Sequence, residues 1–351
     1  MATHEPELIE PVDLCTPDGR RLNPAAKGWS RTPLHTGNLR GSWGRTKRWD
    51  YWAILAGDHA ISVTYADVDY LGIADVWWCH LPTGRTGGHA ANIPGARGIA
   101  LPDLPGSAPL TYRSSKLALD LVDDDAGTTI TAAWTERDGT PARLEASIDL
   151  PPGHESLNVV IPWSDRRFQY TSKHQARPAH GVLDIGGSVV RFGDRAVGGS
   201  EGDQPDAWGV LDVGRGRWPY ATRWNWGGGA GRSVEGAVVG IQIGAKWTEG
   251  TGFTENGVVV DGRLAKIGAE LTWTYDWDQP TRPWRVAHPD GSLDLELHPV
   301  FDRHSKVQAG VLATEVHQVF GRWTGHLTTD DGTVHHVEAI QGFAEESRSR
   351  W

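Results

Sequence analysis

The chain is poor in cysteine, in methionine, in long apolar runs and in positive charge, and each shortage closes a class of explanation. Its two cysteines, Cys15 and Cys79, are too few for a disulfide framework and have no C-x-x-C spacing. They read as buried, unreactive thiols. No run of eighteen apolar residues occurs, so no membrane-spanning helix is expected. The stretch 1–13 carries Glu5, Glu7, Glu10 and Asp13 and no apolar segment, which is unlike a secretory signal and leads to an expectation of cytoplasmic residence. A formal charge of −10 disfavours nucleic acid as a partner, because phosphate binding needs a basic surface. The chain has no H-E-x-x-H, no Walker loop, no zinc spacing and no G-x-S-x-G elbow. Gly227-Gly228-Gly229-Ala230-Gly231 follows no βαβ pattern and is a turn rather than a dinucleotide loop. No metal and no cofactor are therefore expected.

What is abundant is tryptophan, with 18 residues, and glycine, with 44. Tryptophan suits an apolar wall that must also present a hydrogen-bond donor. Glycine at this level suits tight turns between short strands. Helical periodicity is scarce, while period-two alternation recurs, as in Leu117-Ala118-Leu119-Asp120-Leu121 and Leu293-Asp294-Leu295-Glu296-Leu297. Asp-Gly turns at Asp138-Gly139, Asp261-Gly262, Asp290-Gly291 and Asp331-Gly332 punctuate the alternation as hairpins.

The chain also resembles itself. Lys47-Arg48-Trp49-Asp50-Tyr51 is echoed by Thr222-Arg223-Trp224-Asn225-Trp226. Val63–Arg85 and Ile241–Arg263 each run into Gly-Arg over the same length, and Trp134-Thr135…Asp138-Gly139-Thr140 is echoed by Trp323-Thr324…Asp331-Gly332-Thr333. Matches in one order at a nearly constant offset indicate a duplicated all-β unit. Closing each unit into a barrel hides its sheet edges and leaves an interior able to hold a small ligand. The expected halves are 1–165 and 166–351, with any chemistry in the second.

Three segments carry candidate site residues. The run from Ala207 to Trp226 places Trp208, Trp218, Tyr220, Trp224 and Trp226 around Asp212, with Arg215 and Arg217 beside it. Asp212 alternates with Leu211 and Val213, so its side chain points away from theirs. An acid in an aromatic pocket is raised by desolvation or lowered by a guanidinium, so Asp212 is open to two readings, a proton donor or one half of a structural Asp–Arg pair. The second segment, Lys246-Trp247 to Asn256, contributes Lys246, Trp247 and Asn256 as ligand contacts and Glu255, either a catalytic carboxylate or a turn residue. In the third, Glu315 and His317 share a strand face and either form a carboxylate–imidazole couple or serve structure.

These words in order resemble the family known as domain of unknown function 2804. The resemblance is carried by Leu22-Asn23-Pro24, Gly28-Trp29-Ser30, Pro33-Leu34-His35, Trp43-Gly44-Arg45, Gln169-Tyr170-Thr171-Ser172-Lys173, Trp218-Pro219-Tyr220 and Glu315-Val316-His317-Gln318. More distantly, Trp208…Asp212…Gly216…Trp224-x-Trp226 is similar to the second barrel of double-lipocalin proteins, a group with carotenoid hydratases and pericyclase-type cyclases. That resemblance implies two tandem lipocalin-like (calycin-like) antiparallel β-barrels packed together. It also implies an acid, here Asp212, that protonates an alkene between tryptophan faces. The chain departs from the pattern with Gly214-Arg215-Gly216-Arg217 where those proteins carry His near the acid, and an arginine there would keep Asp212 ionised.

The resulting expectation is a hydratase, isomerase or cyclase acting on a small apolar molecule of isoprenoid, polyene or lipid-like type, as a monomer or weak homodimer. A non-catalytic lipid or pigment carrier and a glycan-acting enzyme using Asp212 and Glu255 are the alternatives.

Overall fold

The computed structural model describes residues 4–193 and 206–350. The short strands β1 (Val12–Asp13), β2 (Trp29–Ser30) and β3 (His35–Thr36) belong to an N-terminal segment. Two meanders follow: β4 (Thr46–Ala56), β5 (His59–Asp67), β6 (Leu71–His80) and β7 (Arg85–Pro94), then β8 (Leu110–Arg113), β9 (Leu117–Asp124), β10 (Gly127–Thr135) and β11 (Pro141–Asp149). Next come β12 (Leu157–Pro162), the long β13 (Phe168–Ile185), β14 (Ser188–Phe192) and β15 (Ala207–Arg217). The remainder is β16 (Ala221–Arg232), β17 (Val238–Ala245), β18 (Asn256–Val260), β19 (Arg263–Ile267), β20 (Thr272–Thr274), β21 (Trp284–Ala287), β22 (Leu293–Ala309), β23 (Leu312–Thr328) and β24 (Val334–Arg350).

β1 and β3 pair in parallel as a sheet of their own, and the other strands form two curled antiparallel sheets, each a half-barrel. The first runs β7-β6-β5-β4-β15-β13-β11-β10-β9-β8 and the second β19-β18-β17-β16-β24-β23-β22-β21-β20. The duplication read from the sequence appears in this order. The echoing Trp49 and Trp224 segments lie on β4 and β16, the two Gly-Arg turns join β6 to β7 and β18 to β19, and the matched Asp-Gly-Thr turns join β10 to β11 and β23 to β24. β16 pairs directly with β24, whereas β13 and β15 stand between β4 and β11. By strand pairing the chain therefore changes sheets between Arg217 and Ala221, downstream of the expected boundary at 165/166.

Alternation decides what each sheet encloses. Trp52 and Ile54 of β4, Ile61 and Val63 of β5 and Leu144 of β11 pack into a core inside the first half-barrel. Ile241, Ile243, Trp284, Leu295, Leu297 and Trp323 do so inside the second, where Trp284 and Trp323 are fully buried. The opposite faces meet each other. Ala53, Leu55, Trp208, Val210, Trp226, Phe320 and Phe343 form a third cluster between the sheets. The strand faces that begin with these apolar residues continue at period two into polar ones: Trp208 and Val210 lead to Asp212, Phe320 to Gln318, and Phe343 to Glu345. The seam between the half-barrels is thus apolar at one end and polar at the other.

Candidate functional site

At the polar end of the seam lies a cavity of about 430 Å³, within the range of small-molecule sites. Its walls come from both sheets: Trp49 and Tyr51 of β4, Gln169, Thr171 and Lys173 of β13, Asp212 of β15, Trp224 and Trp226 of β16, Arg303 of β22, Gln318 of β23 and Glu345 of β24, with Trp218, Trp247 and Glu255 from connecting segments. The expectation of a ligand space inside the second barrel is corrected here, because the half-barrel interiors are filled by their own cores and this cavity lies between them.

A buried cation organises the polar wall. Lys173 pairs in register with Asp212 across β13 and β15. Its Nζ lies 3.0 Å from Asp212 Oδ1, 3.4 Å from Glu255 Oε2 and 4.1 Å from the centroid of the Trp226 ring. Asp212 is further held by donation from Trp49 Nε1 to Oδ2 and from Thr171 Oγ1 to Oδ1, each at 3.0 Å. Glu255 Oε1 accepts from Trp247 Nε1 at 2.5 Å. Glu345 accepts from Trp224 Nε1 at 2.7 Å and from Gln318 Nε2 at 3.0 Å. The tryptophans thus supply both the apolar wall and the donors that fix the carboxyl groups.

Three acids around one lysine cannot all be ionised cheaply in so dry a place. Burial pushes Glu255 up to about 7, against the opposing pull of Lys173 and Trp247. Burial likewise pushes Glu345 up to about 7, opposed by Trp224 and Lys173. Burial acts to lower Lys173, but Asp212 and Glu255 outweigh it, and its pKa is raised. The site therefore holds a charged lysine beside two carboxyl groups poised to exchange protons near neutrality.

Glycines make room for these contacts. A Cβ on Gly214 would lie 2.2 Å from the Trp49 indole, and one on Gly244 would lie 2.1 Å from Glu255 Oε1. A larger residue at either place would displace the ring or the carboxyl group.

Of the residues expected from sequence, Asp212, Trp218, Trp224, Trp226, Trp247 and Glu255 line this cavity together. Arg215 and Arg217 do not, since they alternate with Asp212 on β15 and point the other way. Arg215 pairs with Asp50 at 2.8 Å, and Arg217 donates to the backbone carbonyls of Gly19, Arg20 and Arg40. The anticipated guanidinium beside Asp212 is in fact the ammonium of Lys173. Trp208 belongs to the apolar seam. Asn256 is a structural pin, accepting from Gly244 N and donating to Ala269 O. Tyr220 is exposed at the surface and donates to Val311 O. Lys246 faces an outer groove.

His317 and Glu315 lie away from the cavity. Their face of β23 is opposite the one that carries Val316 and Gln318. His317 Nδ1 is 2.7 Å from Asp302 and its ring stacks on His304 at 4.2 Å, while Glu315 contacts His304 and Lys306. His304, Glu315 and His317 offer three donor atoms within 4.8 Å of one another. The two rings are parallel to within 3°, so their lone pairs run side by side rather than converging on one ion. The arrangement fits a histidine stack held by carboxylates.

Lys173, Glu345, Trp49, Gln169 and Thr171 were not among the sequence candidates. Gln169, Thr171 and Lys173 share a face by period two within the distinctive run Gln169–Lys173, which is the signal that points to them.

Among the described residues no helix is long and apolar enough to cross a membrane. No protein of curated function matches the chain in sequence. Among solved structures, kievitone hydratase from Nectria haematococca is similar over 87% of this chain and 89% of its own, with 10% identity and a TM-score of 0.52. CghA with Sch210972 is similar over 88% and 89%, with 11% identity and a TM-score of 0.43. At such identity the likeness to kievitone hydratase shows the tandem lipocalin-like fold. Residues 5–351 match the family described as domain of unknown function (DUF2804), and the chain belongs to that family.

Proposed function

We propose that this chain is an enzyme of hydratase or cyclase type that protonates a small, largely apolar and unsaturated molecule held between its two half-barrels. The observation that carries the reading is the pair of buried carboxyl groups, Glu255 and Glu345, each pushed up to about 7 by burial in a cavity walled by Trp49, Trp218, Trp224, Trp226 and Trp247. A carboxylic acid that keeps its proton near neutral pH is suited to general-acid work. In this scheme one glutamic acid gives its proton to an alkene carbon, and the tryptophan faces stabilise the cation that results. Water then adds and returns a proton to the carboxylate, or a second alkene of the same molecule closes a ring and a proton is lost to it. Lys173 and Asp212 hold the local field in place.

The placement of Lys173 between Asp212 and Glu255 argues against a two-carboxylate sugar hydrolase, because the ammonium occupies the space where a glycosidic bond would sit. The fold likeness to kievitone hydratase is compatible with the reading and does not carry it.

The test uses the ligand that the protein itself selects. Small molecules extracted from natively purified protein are identified by mass spectrometry and incubated with the enzyme in deuterium oxide. Incorporation of deuterium at carbon by the wild type, lost in Glu255→Gln or Glu345→Gln, is the expected result. A ligand recovered unchanged and unexchanged identifies a carrier and overturns the proposal.

A further inference from the structure

Outside the cavity the surface holds a second space, an open groove of about 950 Å³. It is rimmed by Arg223, Lys246, Lys306, Arg348 and Arg350. Facing these five cations are the carboxylates of Glu249 and Glu315, with Glu346 buried beneath. Arg223, Lys246 and Arg348 all converge on Glu346, at 2.6, 3.0 and 2.7 Å. Among the described residues, cations therefore outnumber carboxylates on this face of a chain whose formal charge is −10. The excess is local and opposes the sign of the whole molecule.

The groove is also joined to the cavity. Trp247 and Thr314 line both spaces. The aromatic wall is continuous: Trp163 of the groove lies 5.1 Å from Trp218 of the cavity, and Trp218 stacks on Trp247 at 5.4 Å. Lys246, immediately before Trp247, takes a φ of +72°, a left-handed conformation that long side chains seldom adopt. Backbone strain of this kind persists where the surroundings enforce it, and here it lies at the junction of groove and cavity.

We propose that the cavity's ligand is amphipathic, with a carboxylate or phosphate that this groove holds while its apolar body passes the Trp247–Thr314 wall toward Glu255 and Glu345. The proposal rests on the cavity reading above and adds the chemical class of the substrate. Guanidinium and ammonium groups grouped around one buried carboxylate retain donors for a second anion, and such charge-assisted bonds are strong and directional.

The test is a matched set of probes, lauric acid, lauryl phosphate and lauryl alcohol, followed by quenching of tryptophan fluorescence below micelle-forming concentrations. The expected result is that at least one acid binds about tenfold or more tighter than the alcohol at low salt, the gain of one strong charge-assisted contact. The stronger of the two acids names the anchoring group. That preference should shrink as salt is raised, with alcohol binding unchanged, a measurement that needs no variant. It should also disappear in the double variant Lys246→Gln/Arg348→Gln. Equal binding of acid and alcohol overturns the groove proposal and leaves the cavity reading standing. Failure of all three probes to bind overturns both.

Discussion

The Lys173 ammonium lies 3.0 Å from the Asp212 carboxylate, and the two residues face each other in register across β13 and β15. Both are buried, and Lys173 also compensates Glu255 at 3.4 Å. Replacing it by methionine keeps the volume and removes the charge. Lys173→Met should then destabilise the fold by about 3–5 kcal/mol at neutral pH, the usual cost of leaving a buried charge unpaired. The cost should fall on acidification, because Glu255, pushed up to about 7 by burial, can then neutralise itself. Urea denaturation at pH 5 and pH 8 checks this, and a penalty independent of pH would show that the lysine serves packing alone.

Glu255 and Glu345 set a further pH dependence of the opposite kind from a surface ion pair. Their ordinary value is 4.5, and burial raises each to about 7 in the folded protein. Between these values the folded state binds more protons than the unfolded state, so stability falls as pH rises from about 4.5 through 7 and levels off above. Glu255→Gln and Glu345→Gln should each flatten part of that slope and raise stability at pH 8 relative to wild type. Thermal melts across the range give the comparison. A wild-type stability that rises over this interval would mean that both groups are ionised in the fold.

How much of this could be read from residues alone depends on what period two reports. It places a side chain on one face of a strand, and so it separates Asp212 from Leu211 and Val213 and sets Trp224 and Trp226 on one face. The same rule would have turned Arg215 and Arg217 away from Asp212, since they differ from it by odd steps. Composition and proximity in sequence hid that. Which strands become neighbours is a long-range matter: Lys173 reaches Asp212 only because β13 pairs with β15, and no local pattern announces that pairing. The duplication, by contrast, was visible, because matched turns such as Gly84-Arg85 and Gly262-Arg263 repeat as short words. The two strands inserted between β4 and β11 leave no such echo, and they moved the change of sheet downstream.

His317 illustrates the cost of reading one strand in isolation. It shares a face with Glu315, as alternation requires, but that face turns from the cavity toward His304 and Trp277. His317→Ala should leave the affinity for lauryl alcohol within about twofold while costing on the order of 1 kcal/mol of stability from its lost hydrogen bond to Asp302. Fluorescence titration and urea denaturation of the same variant separate the two effects. A large loss of affinity with stability intact would place His317 in the site after all.

The sharpest probe of the acid wall is Trp224. Its Nε1 donates to Glu345 at 2.7 Å, and that bond favours the ionised carboxylate, opposing the upward push of burial. Its ring packs on Trp218 at 5.6 Å, a contact that phenylalanine can keep in part. Trp224→Phe therefore removes the donor with limited loss of wall. With the anion less well solvated, the proton should be held more tightly, and the Glu345 pKa should rise by about one unit, the worth of one hydrogen bond to a charged group. Carbon-13 NMR of labelled glutamate side chains, with Glu345→Gln to assign the resonance, measures it directly. Gln318 still donates to the other oxygen, so the carboxyl group keeps its place while its proton affinity changes. A pKa that stays put or falls would mean that the tryptophan serves the wall and not the acid, and the proton-donor reading of Glu345 would lose its support.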